Sequence, residues 1–174
     1  MAKILMVVAQ QGFRDEELFV PKELLQKAGH TVTVASVTRG KASGSKGGSV
    51  APDMGIYEAN PDFFAAIVIV GGPGSPSLAD NGDATKLVEH AYQKGKIVSA
   101  ICLGPLTLAR AGVLVDKNAT IFPDPKAIKM LRENGAVYWT QKVVRDGNIL
   151  TADSPESAPD FAHALVDILK EKGK

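Results

Sequence analysis

Short, almost uninterrupted apolar runs constrain this chain most: residues 4–9 read ILMVVA, 66–70 read AIVIV and 96–101 read KIVSAI. Runs this short, bounded by turn residues, suit parallel strands covered on both faces rather than helices or half-exposed strands. Between them lie stretches with helical periodicity. One begins at Asp15, placed as an N-cap, and ends near Gly29; others span residues 83–95, 104–112, 125–135 and 155–170. Residues 31–37 alternate and are β-branched, which predicts a second strand, and residues 143–151 predict a hairpin around Arg145-Asp146-Gly147-Asn148. Asn60-Pro61 opens a short helix by the cap-then-proline rule. Residues 40–48 predict a flexible turn, and residues 49–57 a small ribbon.

Strands alternating with helices of this length imply right-handed βαβ crossovers, hence an α/β sandwich with a largely parallel sheet and helices on both faces. In that architecture the site lies at the carboxyl ends of the strands. The 174 residues fit one domain, and no repeat of solenoid period interrupts them.

Composition removes several function classes. A formal net charge of +1 offers no footprint for a nucleic-acid backbone. The longest apolar run is about seven residues, over 65–71, against the roughly 20 that a membrane span requires. A single cysteine rules out an internal disulfide framework, and MAKILMVV runs straight into a strand pattern rather than a signal peptide, so a cytoplasmic setting is expected. Neither CxxC nor HExxH spacing occurs, so no metal or cofactor is implied. GGPGSPS lacks the lysine of a phosphate loop.

Chemistry concentrates at Cys102, which follows the third buried run at once and precedes Leu103-Gly104-Pro105. Gly104 lets the chain turn tightly and Pro105 suits a first helical position, so the thiol stands at a strand-to-helix elbow facing helix N–H groups. Such a setting predicts a thiol pKa between about 3.5 and 7.5, against about 8.5 for a free cysteine. The other reading of Cys102 is a buried, inert core cysteine.

Glu17 is set apart from Asp15, Glu16 and Glu23 by periodicity, since positions 17, 20, 21, 24 and 28 form a stripe with Val20, Pro21, Leu24 and Ala28. A carboxyl on that apolar face has its pKa raised and can exchange a proton with a thiolate or a substrate. Periodicity alone equally allows a glutamate at the edge of the stripe that reaches solvent. Gly71-Gly72-Pro73-Gly74 can present backbone N–H groups to a developing oxyanion, although the same residues also make a simple structural turn. His30 falls at the sheet edge opposite the site, and His90 and His163 fall inside helices, so none pairs with Cys102.

Together AICLGP (100–105), EELFVP (16–21), IVIVGGPG (67–74) and DGNILTA (146–152) resemble the PfpI superfamily, which includes intracellular protease I, the Parkinsonism-associated deglycase and glyoxalase III-type enzymes. The resemblance covers nearly the whole chain. It implies a flavodoxin-like fold with Cys102 as nucleophile, Glu17 as the carboxylate that contacts it, and Gly72 and Leu103 as backbone oxyanion donors. It also implies a homodimer or higher homo-oligomer, an expectation to which Phe13 and Phe19 add, since both stand outside the apolar stripe.

Two departures matter. The protease-like branch carries histidine where this chain has Leu103, and the deglycase branch carries histidine near the thiol where this chain has Phe122. Peptide hydrolysis needs a general acid for the leaving amine, whereas a thiolate and one carboxyl suffice to isomerise a small dicarbonyl. The expected activity is therefore that of a glyoxalase III/deglycase-type cysteine enzyme, with an aldehyde or a glycated protein or amino acid as substrate. A redox sensor in which Cys102 becomes a sulfinate stands as the second reading. An intracellular cysteine peptidase stands third, and a binding module with an inert thiol last.

Overall fold

The computed structural model describes residues 1–173. Strand β1 (Lys3–Val7) leads through β2 (Gln11–Phe13) into helix α1 (Asp15–Lys27), which returns to β3 (Thr31–Ser36). Next come β4 (Ala42–Gly44), β5 (Ser49–Val50), β6 (Met54–Gly55) and β7 (Ala66–Ile69). Helices α2 (Pro76–Ala79) and α3 (Gly82–Gln93) lead to β8 (Ile97–Ile101), and α4 (Pro105–Arg110), β9 (Asn118–Ala119), α5 (Pro125–Glu133) and β10 (Val137–Tyr138) follow. The hairpin β11 (Val143–Asp146) and β12 (Ile149–Ala152) precedes α6 (Ala158–Lys172).

Seven strands form the main sheet in the order β11-β12-β8-β7-β1-β3-β6. Every pairing in it is parallel except β11 with β12. Strand alternation splits the core into two layers. Leu5, Val7, Ile67, Ile69, Val98 and Ala100 face α3, α4 and α5, while Ile4, Met6, Val68, Val70, Ile97 and Ile101 face α1 and α6. The runs are apolar throughout because both faces are covered. The chain adds β3 on one side of β1 and then β7 and β8 on the other, so the sheet direction reverses at the carboxyl ends of β1 and β7. A topological switch point of this kind opens the crevice in which α/β folds bind ligands.

Several sequence expectations are corrected. Arg14, not Asp15, is the N-cap of α1, and it makes no side-chain cap. Asp15 instead reaches across the chain to accept hydrogen bonds from the N–H groups of Lys46 and Gly48, at 2.9 and 2.7 Å. That long-range contact orders residues 40–48, which are no mere turn: Ala42–Gly44 pairs with β2 and β5 in a second, three-stranded sheet. The short helix after Asn60 is a single 3-10 turn, Pro61–Phe63, with the Asn60 side chain accepting from Asp62 N–H. Phe13 is fully buried rather than left over, and packs edge-on against Phe19 with ring centroids 6.2 Å apart. Among the described residues no helix is long and apolar enough to cross a membrane.

Candidate functional site

The site is assembled where β1, β7 and β8 end. Strand β8 delivers Cys102 in the left-handed region, at φ 61°, which a non-glycine residue adopts at a cost of roughly 1–2 kcal/mol. Backbone bonds hold the turn on three sides: Cys102 N–H donates to Ala152 O at 2.9 Å, Phe122 N–H donates to Cys102 O at 2.9 Å, and Gly104 N–H donates to Ile101 O at 2.9 Å. Gly104 is required here, because a Cβ would press on the carbonyl oxygens of Ile69 and Ile101. Pro105 then starts α4 as predicted.

Helix α1 delivers Glu17. Its buried face holds Glu17, Leu18, Pro21 and Leu25, so the stripe is rotated from the one that periodicity suggests, and Ala28 is exposed. Glu17 nevertheless lies at its centre, with no exposed surface, which excludes a side chain reaching solvent. Pro21 has no N–H to offer the carbonyl four residues earlier, which is that of Glu17, so the helix is unlocked one turn after the carboxyl. Neither carboxyl oxygen of Glu17 meets a hydrogen-bond partner of full geometry within the described residues. Burial therefore pushes its pKa up to about 8, against a partial downward pull from the Cys102 thiol, the Gly71 N–H and the Arg14 guanidinium.

Strand β7 delivers the glycines. Gly71 O accepts from Arg14 N–H at 2.9 Å, and Gly72 adopts φ 114°, which places its N–H beside the Cys102 thiol together with that of Leu103. Both N–H groups are thus directed at the sulfur. Gly71, which the sequence offers only as part of the glycine turn, is as constrained as either, since a Cβ would stand 2.5 Å from Glu17 Oε1 and 2.8 Å from Cys102 Cβ.

The expected depression of the Cys102 pKa is reversed. The thiol is only 6% exposed; burial pushes it up, the Glu17 carboxyl pushes it further, and the Leu103 and Gly72 N–H groups counteract only in part. The elbow presents Cys102 to a shallow pocket of about 240 Å³ lined by Arg14, Gly72, Pro73, Cys102, Leu103, Phe122 and Pro155. A larger hollow of about 420 Å³ along Pro125, Ile128, Lys129, Arg132 and Glu133 holds neither a nucleophile nor a buried ionisable group. No histidine lines the Cys102 pocket: His30 accepts from Ala2 N–H beside the start of β1, and His90 and His163 are exposed on α3 and α6.

The sequence profile of the DJ-1/PfpI family matches residues 2–168. The chain belongs to the DJ-1/PfpI family. A protein of Methanocaldococcus jannaschii named as uncharacterized is 47% identical to it, over 99% of this chain and 85% of the relative. A protein of Pyrococcus abyssi named a deglycase is 36% identical, over 97% of this chain and 99% of the relative. The crystal structure of a ThiJ/PfpI domain protein from Brachyspira murdochii superposes with a TM-score of 0.93 at 34% identity, covering 97% and 96% of the two chains. The DJ-1/PfpI relationship accounts for the flavodoxin-like sandwich.

Proposed function

We propose that the protein is a cofactor-independent cysteine enzyme acting on reactive carbonyls, 2-oxoaldehydes in particular, either free or as early adducts on amines. The observation that carries this reading is the fully buried Glu17 carboxyl beside the Cys102 thiol, which itself lines a small pocket. The relative from Pyrococcus abyssi that is named a deglycase supports the same class of substrate.

The pair supplies one mobile proton. In the fraction of molecules with Glu17 ionised, which grows as pH approaches 8, its carboxylate takes the thiol proton as the sulfur of Cys102 bonds to the aldehyde carbon, and the carbonyl π electrons move to oxygen beside the N–H groups of Gly72 and Leu103. Glu17 returns the proton to that oxygen, giving a hemithioacetal. The carboxylate then removes the hydrogen on the former aldehyde carbon as a proton, the electron pair passing into the neighbouring carbonyl. Glu17 delivers that proton to the adjacent carbon while the hemithioacetal O–H proton passes to the neighbouring oxygen, leaving a 2-hydroxy thioester on Cys102. Water cleaves that thioester, so the sum is 2-oxoaldehyde plus water to 2-hydroxy acid, with no external oxidant or reductant. An amine adduct enters the same path once the amine has left.

Turnover of methylglyoxal by wild type, Cys102→Ala and Glu17→Gln tests the reading. Glu17→Gln keeps the shape but cannot exchange a proton, and should slow turnover by about 10²–10⁴-fold. Glu23→Gln, on the exposed side of α1 beside Lys27, should change little. An unchanged rate in Glu17→Gln overturns the assignment. Absence of turnover, with Cys102 oxidised to a sulfinate under peroxide, would favour the sensor reading instead.

A further inference from the structure

Arg14 is the single charged residue lining the pocket above Cys102, whose other side chains belong to Pro73, Leu103, Phe122 and Pro155. Its Nε donates to Glu16 Oε2 at 2.5 Å, while Nη1 and Nη2 make no hydrogen bond to any described residue. The Glu16 carboxyl is 43% exposed, so solvent screens that pair and the guanidinium keeps much of its field. Placement is imposed by the backbone, because Arg14 N–H is tied to Gly71 O and Arg14 caps α1 only through its main chain. Its two outer nitrogens, not engaged by Glu16, remain available to the pocket.

An apolar pocket with one cationic fork and two unengaged donor nitrogens fits a carboxylate, which a guanidinium binds bidentately. At about 240 Å³ the pocket lies below the usual range for drug-sized ligands, so the occupant is small. We infer that Arg14 is a specificity-determining residue that selects reactive carbonyls bearing a carboxylate, of which a 2-oxoaldehyde with a short carboxylate tail is the simplest. The inference rests on the proposed carbonyl chemistry for its substrate, but anion selection at the thiol is independent of turnover.

Two alkylating agents of nearly the same shape separate the questions. In each, the Cys102 thiolate displaces iodide, forming a C–S bond as the C–I bond breaks; iodoacetate carries a carboxylate where iodoacetamide carries a neutral amide. The ratio of the two rates cancels any change in thiol ionisation. Arg14→Gln should lower the iodoacetate-to-iodoacetamide ratio by about tenfold, in line with loss of a charge-assisted hydrogen bond. Arg14→Lys should retain part of it, and Glu16→Gln, which removes the competing carboxylate, should raise it. A ratio unchanged in both Arg14→Gln and Glu16→Gln overturns the inference, even if aldehydes are turned over. In the second arm, wild type should prefer 4,5-dioxopentanoate to its methyl ester in kcat/KM, and Arg14→Gln should erase the preference. Equal use of acid and ester by wild type overturns the inference as well. Failure of both compounds to turn over counts against the carbonyl reading alone, since the alkylation ratio still decides the role of Arg14.

Discussion

Glu17 and Gly71 fit each other at the limit of contact: a Cβ on Gly71 would lie 2.5 Å from Glu17 Oε1, closer than real Cβ atoms approach anything. The same position meets the Cβ of Cys102 at 2.8 Å, so one absent methyl group lets carboxyl, thiol and β7 backbone share the site.

Gly71→Ala should therefore act on chemistry before it acts on the fold. Glu17 and Cys102 must both shift, and overpacking of this kind costs roughly 1–3 kcal/mol. A melting curve should show that modest loss, while methylglyoxal turnover falls to the level of Glu17→Gln. Retention of full turnover in Gly71→Ala would show that the contact is not needed.

Peptidase activity should be negligible. Leu103 and Phe122 line the pocket where a histidine would have to stand, and no histidine of the chain approaches Cys102. Cleavage of a peptide substrate that vanishes in Cys102→Ala would contradict this and require a base from outside the chain.

What the sequence reveals about this site follows from how local each signal is. Cys102, Gly104 and Pro105 are contiguous and follow a strand, so the elbow can be read directly. Glu17 is legible as the carboxylate of an apolar helix, although the stripe is rotated, because Leu18 and Leu25 are fully buried in the core layer while Val20 packs only at its margin and Leu24 is partly exposed. Asp15 reads locally as a cap because its true partners, Lys46 and Gly48, lie over thirty residues away. The two-residue strands β9 and β10 have no periodicity to find, and the pocket itself joins Arg14, Phe122 and Pro155, which only the fold brings together. Gly71 looked like part of a turn; its need for a bare Cα appears only when α1 is laid against β7.

Thiol reactivity should follow the buried pair rather than the helix start. The thiol is pushed up by burial and by Glu17, whose own ionisation is centred near 8, so alkylation by iodoacetamide should still be rising above pH 8. Glu17→Gln removes the neighbouring negative charge and should move the midpoint down. A wild-type midpoint below about 7, the range of cysteines activated by helix N-termini, would refute this account.

The last prediction concerns stability and pH. In the folded chain Glu17 holds its proton up to about 8, whereas its ordinary value is 4.5. Between those values the folded state binds a proton that the unfolded state has released, so folding is favoured most below 4.5 and the advantage is lost as pH rises toward 8. With one proton at stake, stability falls by at most about 1.4 kcal/mol per pH unit over that window. The effect should be absent from Glu17→Gln, whose amide is neutral throughout. Urea unfolding at pH 5, 6.5 and 8 should therefore show wild type falling relative to Glu17→Gln at each step. Glu23→Gln, whose carboxylate is held down by Lys27 at the surface, should track wild type. Parallel curves for wild type and Glu17→Gln across this range would mean that Glu17 is already ionised in the folded protein and that burial does not raise its pKa.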